Sequence, residues 1–200
     1  MKFHPAYLSV LALLVPAEAS SHFYLMEPTP ILAQDDRGNP QKPEPCGGTK
    51  SGSTPATGVV TPVKGGSQFH IKIKETVYHP GHYRIALAAQ PLDLPADPET
   101  VTRDTEKGPR SVSAKIDPNP KPPVLVDGLF VHTERFESGH IWETDVRIPN
   151  IDCDNCTLQI IQWMADHSFN PEGGYTYHHC AELKITADPA MPRDQGWLKK

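Results

Sequence analysis

The sequence contains no segment that reads as an amphipathic helix of about twelve residues or more. Its longest apolar run, "YLSVLALLV" from Tyr7 to Val15, is about half of what a membrane-spanning helix needs. It has no cluster of Lys and Arg, and its formal net charge is -5. A nucleic acid or an anionic membrane therefore finds no electrostatic footprint, and no partner of either kind is expected. HExxH, GxSxG and a phosphate-cradling glycine loop are all absent, so the common metalloprotease, serine-hydrolase and nucleotide chemistries lack their residues. Cysteine is scarce, at four residues.

What is present begins with an export signal. Lys2 gives a weak positive start, Tyr7 to Val15 the apolar middle, and "PAEASS" a small-residue exit. Residues 1–21 are read as a secretory signal peptide, leaving 22–200 as one domain outside the cytoplasm, secreted or periplasmic and expected to be monomeric. Cleavage after Ala17-Glu18-Ala19 would release Ser20, and cleavage after Ala19-Ser20-Ser21 would release His22. No cysteine follows the apolar run, which argues against a lipid anchor there.

In an exported chain, Cys46, Cys153, Cys156 and Cys180 suggest two disulfides, for which three pairings exist. The favoured one closes a small loop in "CDNC" from Cys153 to Cys156 and leaves Cys46 and Cys180 as a long-range staple. A CxxC can instead be redox-active or half of a zinc site, but no second CxxC and no thioredoxin-like strand-helix setting accompany it.

The 22 Pro and 14 Gly make a loop-rich chain that favours short strands. Strand-like patterns occur in "HFYLMEP", "QFHIKIKET", "HYRIALAA", "HIWETDVRIP", "CTLQIIQWMA" and "YTYHHCAELKIT", separated by Gly/Pro turns. This points to an all-β fold, an antiparallel β-sandwich of immunoglobulin or fibronectin type with long loops. Residues 91–123 are Pro-rich, charged and poor in core residues, and read as a long loop on the surface.

Histidine carries the chemistry. Beyond residue 21 stand His22, His70, His79, His82, His132, His140, His167, His178 and His179, and imidazole suits copper and zinc. Scattered histidines are more often surface or core residues than ligands. Their order beside other blocks is more specific: a candidate N-terminal His22 before "FYLMEP", then "NPQKPEPCGGT", "ETVYHPGHYRIAL", "CTLQIIQWMADH" and "YTYHHCAEL". Read together, these blocks resemble the lytic polysaccharide monooxygenases, and within them a bacterial polysaccharide-monooxygenase-like family, across essentially the whole chain after residue 21.

The resemblance implies one copper ion in a histidine brace, with the amino nitrogen and ring of His22 and the ring of His79 as ligands. His82 is the rival to His79. Tyr177, three residues before Cys180, matches the axial tyrosine of the fungal relatives, and His167 matches a histidine that helps to position an oxygen species. Both count as catalytic candidates, and Tyr177 also as a metal neighbour. The chain departs from the pattern in having Tyr175 where relatives carry glutamine, and in its pair His178-His179. By period two, His179 shares a face with Tyr177 and is an alternative neighbour of the metal, while His178 faces the other way. Gln162 is a candidate outer donor. The implied function is oxidative cleavage of a polysaccharide with O2 or H2O2, driven by an external electron donor. The alternatives are a copper-handling protein without that turnover, and an interaction module whose histidines are incidental.

Overall fold

The computed structural model describes residues 22–168, 170 and 174–197. The expected leader, residues 1–21, lies outside them. The strands are β1 (His22–Glu27), β2 (Val60–Lys64), β3 (Gln68–Val77), β4 (Gly81–Ala88), β5 (Thr100–Thr105), β6 (Gly108–Ala114), β7 (Val124–His132), β8 (His140–Arg147), β9 (Cys153–Met164), β10 (His167–Ser168) and β11 (Thr176–Thr186). A single 3-10 turn, Pro91–Asp93, is the only helical element among the described residues.

Two sheets form the sandwich expected from the sequence: β1-β3-β8 and β2-β11-β9-β4-β7. Their facing side chains make one core, with Phe23, Leu25, Ile71, Ile73 and Val146 from the first sheet against Ile85, Leu87, Leu158, Ile160 and Leu183 from the second. The alternation along β3 and β8 is visible because each has one wet face. β4 and the inner half of β9 run apolar because both their faces are covered. All strand pairings are antiparallel except β2 on β11, which is parallel.

The stretch 91–123 departs from the expected loop. It carries the hairpin β5–β6, which joins β10 in a third sheet of order β10-β6-β5. This layer covers the outer face of the five-stranded sheet. Trp163 Nε1 donates to Thr100 Oγ1 at 3.3 Å, Arg84 Nη2 donates to the carbonyl of Ala96 at 3.0 Å, and Ala114 packs with Trp163 and Tyr175. The hairpin is hard to read in sequence because β5 is almost wholly exposed and offers no apolar stripe. Its turn is closed by Gly108 at φ 88° and by Thr105, whose hydroxyl donates to the carbonyl of Gly108.

Disulfides join Cys46 to Cys180 and Cys153 to Cys156. The first ties the loop after β1 to the middle of β11 across 134 residues of sequence, and the second closes a loop of three. Closing the longer loop removes far more freedom from the unfolded chain. The double variant Cys46→Ser/Cys180→Ser should lose about 3 kcal/mol of unfolding free energy in urea titrations, and Cys153→Ser/Cys156→Ser clearly less. Equal losses in the two variants would contradict the assignment of the long-range staple.

Candidate metal centre

The register of β1 on β3 sets His22 opposite Val77, two residues short of His79. The hydroxyl of Thr76 donates to the carbonyl of His22 at 3.0 Å and to that of Arg37 at 2.8 Å, fastening the start of β1 to the end of β3. Gly38 approaches the same strand closely. It has φ 93°, and a Cβ there would stand 1.9 Å from the carbonyl oxygen of Phe23. Glycine in "HPGH" is required for a similar reason, since a Cβ on Gly81 would lie 2.0 Å from the carbonyl oxygen of Trp163.

Two ring pairs occupy this end of the sandwich. The ring of His22 lies 5.2 Å from that of Tyr177, and the ammonium of Lys42 sits 3.8 Å from the Tyr177 ring centroid. The rings of His79 and His167 stack at 5.8 Å, and His167 meets Tyr175 edge-on at 5.7 Å. His22, His79 and Tyr177 are all buried. The Nδ1 of His79 faces the carbonyl of Pro80 at 3.2 Å, which assigns the proton to Nδ1 and leaves Nε2 with its lone pair. Burial, with a contribution from His167, lowers the His79 pKa below the ordinary histidine value, so the ring is neutral and able to coordinate at neutral pH.

His167 reaches this place through the outer layer. Arg110 Nε donates to the carboxylate of Asp166 at 2.6 Å and its Nη2 to the Asp166 carbonyl; the amide of His167 donates to Ser111 Oγ at 3.1 Å. Asp166 takes a positive φ of 53° to make these contacts. Gln162 faces the core between Tyr83 and Tyr177, its partners across β4 and β11. It is completely buried, and neither amide atom finds a protein partner among the described residues. An orphaned amide beside the His22–Tyr177 pair, with a ring lone pair left on His79, is a donor set that fits a small polar group.

The structure separates the remaining candidates. His82 lies on the opposite face of β4, stacked on Trp163 at 5.4 Å. His179 shares a face with Tyr177, but its Nε2 donates to the carbonyl of Phe23 at 3.1 Å and its ring packs edge-on against Phe23. His178 points to the other side, where its Nε2 meets the Asp97 carboxylate at 2.8 Å. Glu44, Asp97 and His178 bring ligand atoms within 4.8 Å of one another. The nearby Arg84 guanidinium already balances that group, and the His178 and Thr176 hydrogen bonds hold the Asp97 pKa low against the opposing effect of its burial. Sequence reasoning missed Glu75, His132, Arg110 and Ser111. An acidic residue on the inward phase of β3 was the one available signal for the first of them.

The aromatic residues divide likewise. Tyr83 is buried in the core beneath Phe23. Tyr78, Phe136, His140 and Trp142 gather beside the His79 turn, with Phe136 edge-on to Tyr78 at 5.2 Å and to Trp142 at 5.6 Å. They form a ridge of crossed rings rather than a flat platform.

No protein-family model matches the chain, and no curated protein matches it. Among solved structures, a lytic polysaccharide monooxygenase AA15 from Thermobia domestica, in the Cu(I) state, is similar at 16% identity with a TM-score of 0.36. The match covers 65% of this chain, and the chain spans 65% of the length of that structure.

The buried ring of His179 gives a pH signature. Burial drives its pKa from 6.5 down to about 4. Between those values the unfolded chain takes up a proton that the folded chain does not, so folding stability falls as the pH drops from 6.5 and levels off below about 4. The full loss is about 3 kcal/mol. Denaturation of wild type and His179→Gln between pH 4 and 7 should show a shallower pH slope in the variant; identical slopes would place the acid sensitivity elsewhere.

Proposed function

We propose that this chain is an exported copper protein that cleaves a polysaccharide oxidatively. In this reading, removal of residues 1–21 frees the amino group of His22, which with its own ring and Nε2 of His79 holds one copper ion. Tyr177 would stand beside it. The observation that carries the reading is the His22 register: a potential two-nitrogen chelator opens β1 opposite Val77, against the ring of Tyr177, while His79 two residues further on keeps Nε2 for coordination. When bound, copper would supply one-electron chemistry with O2 or H2O2, ending in hydroxylation beside a glycosidic oxygen and scission of that bond. An external reductant would supply the electrons.

The protein's own residues set the rest. His167, stacked on His79 and tethered through Ser111 and Arg110, would set a second imidazole beside that ligand. Gln162 offers a buried amide with donor and acceptor capacity next to Tyr177. Lys42 adds a positive charge over the Tyr177 ring. The crossed rings of Tyr78, Phe136 and Trp142 suit the edges of a sugar chain more than a flat crystalline face. Export agrees with both cysteine pairs being bridged, and no described helix is long and apolar enough to cross a membrane.

The processed protein should bind one Cu(II), and His22→Ala or His79→Ala should each abolish tight binding in calorimetry and the corresponding paramagnetic resonance spectrum. A form that retains Ser20-Ser21 should lose most of the affinity, because its first nitrogen is a peptide. Unchanged uptake in all three would refute the brace. Oxidised oligosaccharides released by the reduced, copper-loaded protein are the expected product, and copper binding without them would move the reading to copper handling.

A further inference from the structure

We propose that Glu75 and His132 are positioning residues for His79: a buried carboxylate and a covering imidazole that grip the amide and the carbonyl of that residue and so fix where its Nε2 points. The inference rests on the reading of His79 as a copper ligand.

Glu75 lies on the inward phase of β3, after Ile71 and Ile73, where the core pattern calls for an aliphatic side chain. It is 0% exposed. Its Oε1 accepts from the His79 amide at 3.1 Å and stands 3.3 Å from His132 Nε2. Its Oε2 accepts from the Tyr83 hydroxyl at 3.0 Å and from Trp142 Nε1 at 3.1 Å. Three donors thus converge on one carboxylate, one of them from the His79 turn, and the His132 ring stands beside them.

His132 completes the grip. Its Nε2 donates to the carbonyl of His79 at 2.7 Å and its Nδ1 to the carbonyl of Phe130 at 2.7 Å. Neither carbonyl has a proton to give, so each ring nitrogen meets its carbonyl as a donor. The backbone is bent to serve this contact. Phe130 sits at φ 50°, a left-handed conformation that bulky residues rarely adopt, and the register of β7 on β4 shifts around it.

A buried polar pair is a poor way to gain stability, since well-packed apolar residues usually serve as well or better. What the pair supplies here is orientation. His79 lies between the end of β3 and the start of β4, beyond the ladder bonds of either strand. Glu75 takes its N–H, His132 takes its C=O, and Pro80 takes its Nδ1, so main chain and ring are both held. Apolar replacements would fill the space and leave the turn free to rotate.

The test uses the full processed protein in metal-free and Cu(II)-loaded forms. His132→Ala should raise the Cu(II) dissociation constant at least tenfold, alter the paramagnetic resonance spectrum, and remove the exchange protection of the His79 amide in the metal-free protein. His132→Gln, whose side-chain amide can donate where Nε2 does, should restore most of each. Glu75→Gln should resemble His132→Ala, and provides the comparison if His132→Ala does not fold. Asn150→Ala, which removes three hydrogen bonds to the carbonyls of Asp188, Met191 and Pro192, should lower stability without changing the spectrum. An unaltered spectrum, a dissociation constant within twofold and a protected His79 amide in both His132→Ala and Glu75→Gln would overturn the proposal. If His79→Ala itself leaves copper binding intact, the ligand reading fails, and the His79 amide protection in metal-free protein still decides whether the grip exists.

Discussion

The pairing of β1 with β3 governs the candidate centre, because the phase of the strand decides which side chains face inward and an irregularity between His22 and Phe23 sets His22 opposite Val77. Moving β1 by one residue would turn Phe23 and Leu25 out of the core and carry His22 away from Tyr177. Several contacts hold that register. Phe23 and Leu25 are fully buried, Thr76 fastens the carbonyl of His22, and Gln41 Oε1 accepts from the amide of Phe23 at 3.3 Å. His179 takes the carbonyl of Phe23 from below. The residue that opens the strand is thus fixed by hydrophobic burial on one side and hydrogen bonds on the other.

Around this pairing the sandwich accepts polar groups that a purely stabilising core would exclude. Glu75, Gln162, His178 and His179 are all buried within or against the five-stranded sheet. Each except Gln162 has its partners. The satisfied groups fix backbone: Glu75 at the His79 turn, His178 at Gln41, His179 at Phe23. Burying them costs solvation, and the return is a set of main-chain positions that apolar packing alone would leave loose.

Much of this architecture was legible in the sequence where one physical signal acted alone. β1, β8 and β11 lie within the segments read as strands, and β3, β4 and β9 overlap theirs but start or end one to three residues beyond them, because burial imposed either alternation or a continuous apolar run on their cores. β2, β5 and β7 were not legible. The first two are largely exposed, and β7 is interrupted by Gly128 and by the left-handed Phe130. At the candidate site, the family resemblance rather than residue type singled out His22, His79, His167 and Tyr177 among the nine histidines beyond residue 21 and the tyrosines, and period two separated the faces of His178 and His179. The inability of His179 and His82 to turn toward the centre was not legible, since it depends on the carbonyl of Phe23 and the indole of Trp163, which lie far away in the chain. Glu75 and His132 escaped because their meaning lies in contacts between three strands.

The smallest strand has the widest reach. β10 pairs with β6 and belongs to the outer layer, so His167 approaches the centre from a different body of the fold than His22, His79 and Tyr177 do. The two sides of the site therefore hang on different sheets and meet at one seam, where the amide of Ala165 donates to the carbonyl of Pro80 at 2.7 Å. A substitution in the hairpin that displaces Ser111 or Arg110 acts on the imidazole of His167 first, and reaches His79 only across that seam.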